Sequence, residues 1–304
     1  MEEPKINPYA ALVVGVISVS ASAIFVKLCS SPSGVIAFYR LFFSVVFMLP
    51  VILSKRYIKE FRLISKKDWF FSGIAGVLLA FHFILWFESL NYTSVASSTV
   101  LVTLQPIFAF VGTYFFFKEK LSVMAFISGL IAVLGSVIIS WGDFRISGTA
   151  LFGDILAIIA CAFITGYLLF GQTVRKRLSL ITYTFVVYFM SAFTLLIYVL
   201  ITNHKILPDT NGDWIYFILL ALLPNLLGHT LFNWSLKWLS TSTISMAILF
   251  EPVGATILAY FLLNEHTVWS QISGGIIVIA GISLFILNER KNKMKQSINI
   301  SGKG

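Results

Sequence analysis

The chain has 304 residues, 58% of them hydrophobic and 12% charged, and its mean hydropathy of +0.91 lies far outside the range of water-soluble domains. That balance excludes a soluble enzyme. It also excludes a nucleic-acid-binding domain despite the net charge of +9, because the basic residues fall between apolar runs instead of clustering on a domain surface.

A bilayer core about 30 Å thick takes about 20 apolar residues per helix, and ten such runs can be counted along the chain. The first, 9–28, ends near Lys27. Its Ala21-Ser22-Ala23 is like a signal-peptidase site, but the preceding residues carry Glu2 and Glu3 against one Lys5, so the segment is expected to be retained. The second run, 35–53, carries Arg40, and the third, 69–90, places His82 and Trp86 one turn apart, with Glu88 near its end. The fourth, 95–117, has Ser97, Ser98, Thr99 and Thr103 ahead of Gln105-Pro106. The fifth is 123–141, the sixth 151–170, bracketed by Asp154 and Gln172, and the seventh 181–201. The eighth, 214–236, sets Asn225, His229, Asn233 and then Lys237 at i, i+4 spacing, a polar stripe expected to face a cavity. The ninth, 244–263, has Ser242, Thr243 and Ser245 ahead of Glu251-Pro252, and the tenth is 268–287. The basic tail from 289 to 304 has too few apolar residues to fold as a domain and reads as a disordered, lipid-facing anchor.

The lysines and arginines strongly favour one side. With the N-terminus cytoplasmic, the inner face collects Lys5, six residues between Lys55 and Lys67, Lys118, Lys120, Arg175, Lys176, Arg177, Lys237 and the tail through Lys303, against Lys27, Arg145 and Lys205 outside. The positive-inside rule then puts both termini in the cytoplasm.

The chain also repeats itself. The stretch from Leu85 registers without a gap on the stretch from Leu231, pairing Ser89 with Ser235, Ser94 with Ser240, Pro106 with Pro252, Glu119 with Glu265, Gly129 with Gly275 and Gly135 with Gly281. The expected fold is therefore an all-α integral membrane protein with ten transmembrane helices in two five-helix repeats, residues 1–145 and 146–288. Five is odd, so the second copy enters from the opposite face and the repeats are inverted, an arrangement suited to alternating access in a transporter.

The first-helix ending "IFVKL" (24–28), "FYRLFFS" (38–44) in the second helix and "LFEPV" (249–253) in the ninth, with Pro106 in the fourth helix and the glutamates of "FKEKLS" and "LNEHT", together resemble the ten-helix EamA-like transporters of the drug/metabolite transporter superfamily. The first helix reads "SVSASAIFVKL" where that family often has a Trp-Gly pair. The resemblance covers nearly the whole chain. It implies a basket of helices one to four and six to nine around a central cavity, with five and ten at the periphery. It also implies proton-linked or facilitative transport, commonly export of amino acids, other small metabolites or toxic organic compounds, in the cell membrane of a bacterium.

A charge at a helix centre costs about 2.5 to 3.5 kcal/mol on insertion scales, so each needs a partner, water or a role. Glu251 is either a protonated residue in an interhelical hydrogen bond or a carboxylate that meets substrate or exchanges protons. Its repeat partner is Gln105, which cannot titrate. Pro252 removes the donor for the carbonyl of Ile248, and Pro106 does the same to Val102, so two matched helices should break at matching depth and act as hinges or as tolerated kinks. The neighbouring serines and threonines suit close helix packing. Lys27 and Arg40 lie near the outer helix ends, where they could snorkel, pair with Glu88, or meet a substrate carboxylate. Candidate substrate or coupling residues are thus Glu251, His82, Trp86, Asn225, His229, Asn233, Gln105, Arg40 and Lys27, with Pro106 and Pro252 as hinges.

No cofactor is expected, and no metal: Cys29 and Cys161 have no CxxC spacing and read as packing residues. No GxxxxGK[ST] loop is present, which disfavours ATP-driven transport, and HExxH, HxxxH, DxxD and GxSxG are absent, which disfavours a membrane enzyme. Expected partners are a small-molecule substrate, protons and membrane lipids, with no nucleic acid, in a monomer or homodimer. The alternative functions are a flippase for a lipid-linked or amphipathic substrate and, further off, a sensor-receptor.

Overall fold

A computed structural model describes residues 4, 6–119, 121–139, 141, 148–208, 210–263 and 267–301. Glu2, Glu3, Lys5, Lys120, Arg145, Glu265 and Lys303 lie outside the described residues. Ten apolar helices account for the ten runs: α1 Pro8–Leu28, α2 Ser33–Ile52, α3 Lys66–Ser89, α4 Val95–Phe117, α5 Val123–Ile139, α6 Gly148–Val174, α7 Leu180–Ile201, α8 Asp213–Ser235, α9 Thr241–Leu262 and α10 Trp269–Ser301. Nine are 20 or more residues long. The 17 residues of α5 reach about 25 Å, near the lower limit for a crossing. No strand occurs among the described residues.

Small polar side chains start the helices. Ser65, Ser94, Ser179 and Ser240 each accept a hydrogen bond from the backbone N–H three residues on, and Asn7 does so from Tyr9. Ser94 and Ser240 are repeat partners capping α4 and α9. Two features differ from the sequence expectation. A short surface helix, Lys55–Arg62, precedes α3 and buries no residue, with Phe61 edge-on to Trp69 at 5.1 Å; its basic residues and its aromatic Tyr57 and Phe61 suit the membrane surface. At the other end α10 continues to Ser301, past residue 288 where the tail was expected to begin, because Glu, Arg, Lys, Met and Gln are good helix formers.

The main apolar core lies among α1 to α4 and α6 to α9. There α3 packs on α6 and α7, α2 on α7, α1 on α8 and α9, and α4 on α6 and α9. A smaller cluster including Ala132, Met246, Val278 and Phe285 joins α5 and α10 to α9. The α5–α10 crossing is made of glycines: a Cβ on Gly135 would stand 2.7 Å from Val278 N, and one on Gly281 2.6 Å from Ala132 N. Only small residues allow backbones this close, so the pair docks on itself at the edge of the basket.

Four of the helices are irregular. α1 has a turn at Ala21, α4 at Thr103–Leu104 and α9 at Leu249–Phe250. In α8 the stretch Ala221–His229 is a π-helix with Pro224 inside it. Widened turns of this kind add one residue per turn and recur at functional positions.

Candidate substrate cavity

All four of these irregular points meet at the centre of the basket. Ser22 of α1, Arg40 of α2, His82 and Trp86 of α3, Gln105 of α4, His229 of α8 and Glu251 of α9 line one enclosed cavity, closed by Val102, Ile164, Leu168, Phe232 and Ile248. Its volume of about 20 Å³ holds one water molecule and no metabolite.

Gln105 and Glu251 are each the first residue of the second segment of a broken helix, Gln105–Phe117 and Glu251–Leu263. The proline that follows each one needs no N–H partner at that position. The free N–H groups and the dipole of the half-helix favour a negative group there, which is how α9 accommodates a carboxylate at depth.

Arg40 is fully buried. Its Nη1 donates to Ser22 Oγ at 2.6 Å, and its guanidinium stands 4.2 Å from the Phe83 ring centre and 5.8 Å from that of Phe87. Nε and Nη2 have no partner. Of the alternatives for Arg40, the structure does not give outward snorkelling: seven residues into α2, it is about 10 Å from the helix start and turns into the cavity beneath the α3 rings. Lys27 parts from it, donating from Nζ to the Leu90 carbonyl at 2.5 Å at the C-terminal end of α3. Glu88 accepts from Asn91 Nδ2 at 3.3 Å.

His82 Nδ1 lies 3.0 Å from the Ala160 carbonyl; an oxygen of that kind only accepts, so Nδ1 carries a proton and donates it to that bond. The ring stacks on Trp86 at 5.6 Å, whose Nε1 is unpartnered, as are Gln105 Oε1 and His229 Nδ1. His229 sits edge-on to Phe83 and Phe232.

Asn225 and Asn233 do not line the cavity. Asn225 donates to Ser44 Oγ at 2.8 Å, and its carbonyl accepts from Tyr188 Oη at 3.1 Å. Asn233 Oδ1 accepts from Tyr167 Oη at 2.6 Å, and its carbonyl accepts from Arg175 Nε at 2.9 Å. Asn225 lies inside the π-helix, whose extra residue per turn shifts it off a regular α-helical stripe, whereas Asn233, in the regular segment beyond it, is held by Tyr167; His229 faces inward while the asparagines bind α2, α7 and α6. Lys237 lies past the end of α8, with Nζ 5.3 Å from the Trp238 ring. The local signal for this was Pro224, which cannot donate to the carbonyl four residues earlier. Ser22 and the Phe83 and Phe87 rings went unmarked in the sequence because they become site residues only through Arg40.

The remaining polar residues tie helices together. Ser89 and Ser98 meet at 2.6 Å, and Thr113 and Ser242 at 2.9 Å. Asp154 accepts from Ser97 at 2.9 Å. Gln172 is more than an end marker, donating to Glu119 Oε1 at 2.9 Å and accepting from Thr241 N at 2.7 Å. Burial raises the Glu119 pKa, opposed by the Gln172 hydrogen bond, and burial pushes the Cys29 thiol up to about 12, with nearby Asp213 adding to it. Among the described residues no three His, Cys, Asp or Glu side chains are grouped as metal ligands would be. Two larger apolar spaces open sideways, one of 590 Å³ between α4 and α5 and one of 450 Å³ between α1, α9 and α10.

The sequence model of the EamA-like transporter family matches residues 7–141 and 151–287. Similar proteins include the uncharacterized transporter YxxF of Bacillus subtilis, 27% identical over 229 residues (74% of this chain and 72% of that one). The riboflavin transporter ImpX of Fusobacterium nucleatum is 24% identical over 253 residues, 78% of this chain and 85% of that one. A solved structure titled "Crystal structure of protein" superposes with a TM-score of 0.74 at 16% identity, over 93% of this chain and 98% of that one, and so shares the fold.

Proposed function

Because the chain belongs to the EamA-like transporter family, and so is a multi-pass membrane transporter, we propose that it exports small organic metabolites, amino acids or related compounds, by alternating access around the central cavity. The observation that carries this reading is the convergence of Arg40 and Glu251, one from each half of the chain, on a single enclosed space. Arg40 Nε and Nη2 and Trp86 Nε1 are unpartnered donors suited to a carboxylate. Gln105 Oε1 is an unpartnered acceptor, and with Glu251 it suits an ammonium group, or Glu251 exchanges a proton with the transported molecule. The half-helix joints before Pro106 and Pro252 serve as hinges. At about 20 Å³ the cavity corresponds to an empty closed state that must expand to load. Both termini and the basic loops lie on the cytoplasmic side in this reading.

A flippase is the second reading, favoured by the 590 Å³ apolar groove between α4 and α5, which an acyl chain could occupy. Purified protein in liposomes, given a panel of amino acids and riboflavin with and without a proton gradient, separates the two. Gradient-stimulated movement of a water-soluble compound that is lost in Arg40→Lys supports the carrier. Transbilayer movement of a fluorescent lipid with no soluble cargo moved would sink it. A Glu251→Gln variant whose pH dependence matches the parent removes Glu251 from coupling.

A further inference from the structure

Each half of the chain carries an aspartate in the first turn of its third helix, and each aspartate binds the loop between the first two helices of the other half. At the start of α8, Asp213 accepts from Ser31 Oγ at 2.5 Å and from Ser30 N at 3.1 Å, both in the α1–α2 loop, with Thr210 Oγ1 supporting it at 2.9 Å. At the start of α3, Asp68 accepts from Arg177 Nε at 2.9 Å and Nη2 at 2.5 Å in the α6–α7 loop, with Ser65 Oγ supporting it at 2.7 Å. Both carboxylates are nearly sealed, at 1% and 4% exposure.

These contacts are repeat partners. Leu28, the end of α1, matches Val174, the end of α6, and Ser31 matches Arg177 at the offset of the repeat. Asp68 stands 21 residues before Ser89 and Asp213 stands 22 before its partner Ser235; the π-turn of α8 takes up the one extra residue. Because successive helices cross in opposite directions, the two contacts sit at opposite ends of the bundle.

We propose that the two contacts are latches, one for each face, which are released in alternation as the cavity opens to one side and then the other. This rests on the alternating-access reading above. The mechanical link is short. The loops end α1 and α6, whose Ser22 and Leu168 are matched walls of the cavity, so a free loop lets the wall on its own side swing away. With both latches made, the cavity is closed. The latches also differ in chemistry: the Asp68 latch is an ion pair to Arg177, whose side chain is 45% exposed, while Asp213 is held by uncharged donors. Salt therefore weakens the first and spares the second.

The test places one thiol in the cavity wall, Val102→Cys, in a chain with Cys29→Ser and Cys161→Ser, and measures labelling by a membrane-impermeant maleimide in vesicles of each orientation. Asp213→Asn with Ser31→Ala should speed labelling at least three-fold from the face of the α1–α2 loop only. Arg177→Gln should do so from the opposite face only, and Arg177→Lys should stay near the parent. If the double variant does not accumulate, Ser31→Ala alone carries the same expectation with a smaller rise. No rise, or an equal rise from both faces, overturns the proposal. Labelling needs no substrate, so one-sided labelling in a chain that moves no compound would remove the proposed cargo and leave the latches standing.

Discussion

At the scale of the residue, Arg40 is the side chain whose placement is hardest to explain by stability. It is buried with one hydrogen bond and one close aromatic face, and two of its donors are unsatisfied. A buried charge so incompletely paired is often replaced by an apolar residue at no loss of stability, and sometimes at a gain of about 1 kcal/mol or more. Arg40→Met should therefore leave the thermal unfolding midpoint in detergent unchanged or raised, while transport falls at least ten-fold. A large drop in the midpoint would make Arg40 structural. Glu119 gives the opposite kind of prediction. Burial raises its pKa from the ordinary value of 4.5, so the folded state holds the proton more tightly than the unfolded chain. Its contribution is full at low pH and is lost as pH climbs from 4.5 through the raised value. Glu119→Gln should flatten the fall in stability over that window, read as unfolding midpoints in detergent across a pH series. The charge of Glu251 beside its proline was legible in the sequence because an acid in an apolar run stands out. The inward turn of Arg40 was not, since the same spacing from the helix start permits snorkelling or burial, and the α3 rings decide between them.

At the scale of the element, the broken helices were legible and the widened one was not. Pro106 and Pro252 each remove a donor at a fixed position, and the breaks in α4 and α9 fall beside them. In α8 a proline yields a π-helix over Ala221–His229 instead of a break, because Asn225 finds Ser44 and Tyr188 as partners for its side chain and carbonyl. Those partners come from α2 and α7, far away in sequence. Deleting Leu227 removes the residue that the widened turn takes up, so the stretch should become regular α-helix with the segments on either side kept nearly in register. The chain should still insert, but Asn225, inside the rebuilt turn, can no longer keep both Ser44 and Tyr188, so transport should be lost and the unfolding midpoint lowered. Full transport in the deletion variant would show that the widened turn is incidental. The asparagines illustrate why helical spacing alone does not place a side chain in the cavity: the i, i+4 rule holds only while the turn keeps its 3.6 residues, and Tyr167 takes Asn233 even where it does.

For the whole molecule, ten crossings would put both ends on one side, and the lysines and arginines argue that this side is the cytoplasm. A reporter fused after Gly304 should be accessible only from the cytoplasm, and so should a tag at the N-terminus; an external signal from either would reverse or break the assigned topology. The sequence by itself determined that the protein is a membrane protein, that it holds ten apolar runs and that two long stretches of it register on one another, since burial in lipid demands long apolar runs and a duplication leaves its prolines, serines and glycines at a constant offset. The tertiary structure alone decided which polar residues share one cavity, that the cavity is closed, and that Ser31 and Arg177 each reach an acid in the other half. Those facts depend on side chains more than a hundred residues apart meeting at a few ångströms, and no local periodicity encodes such a meeting.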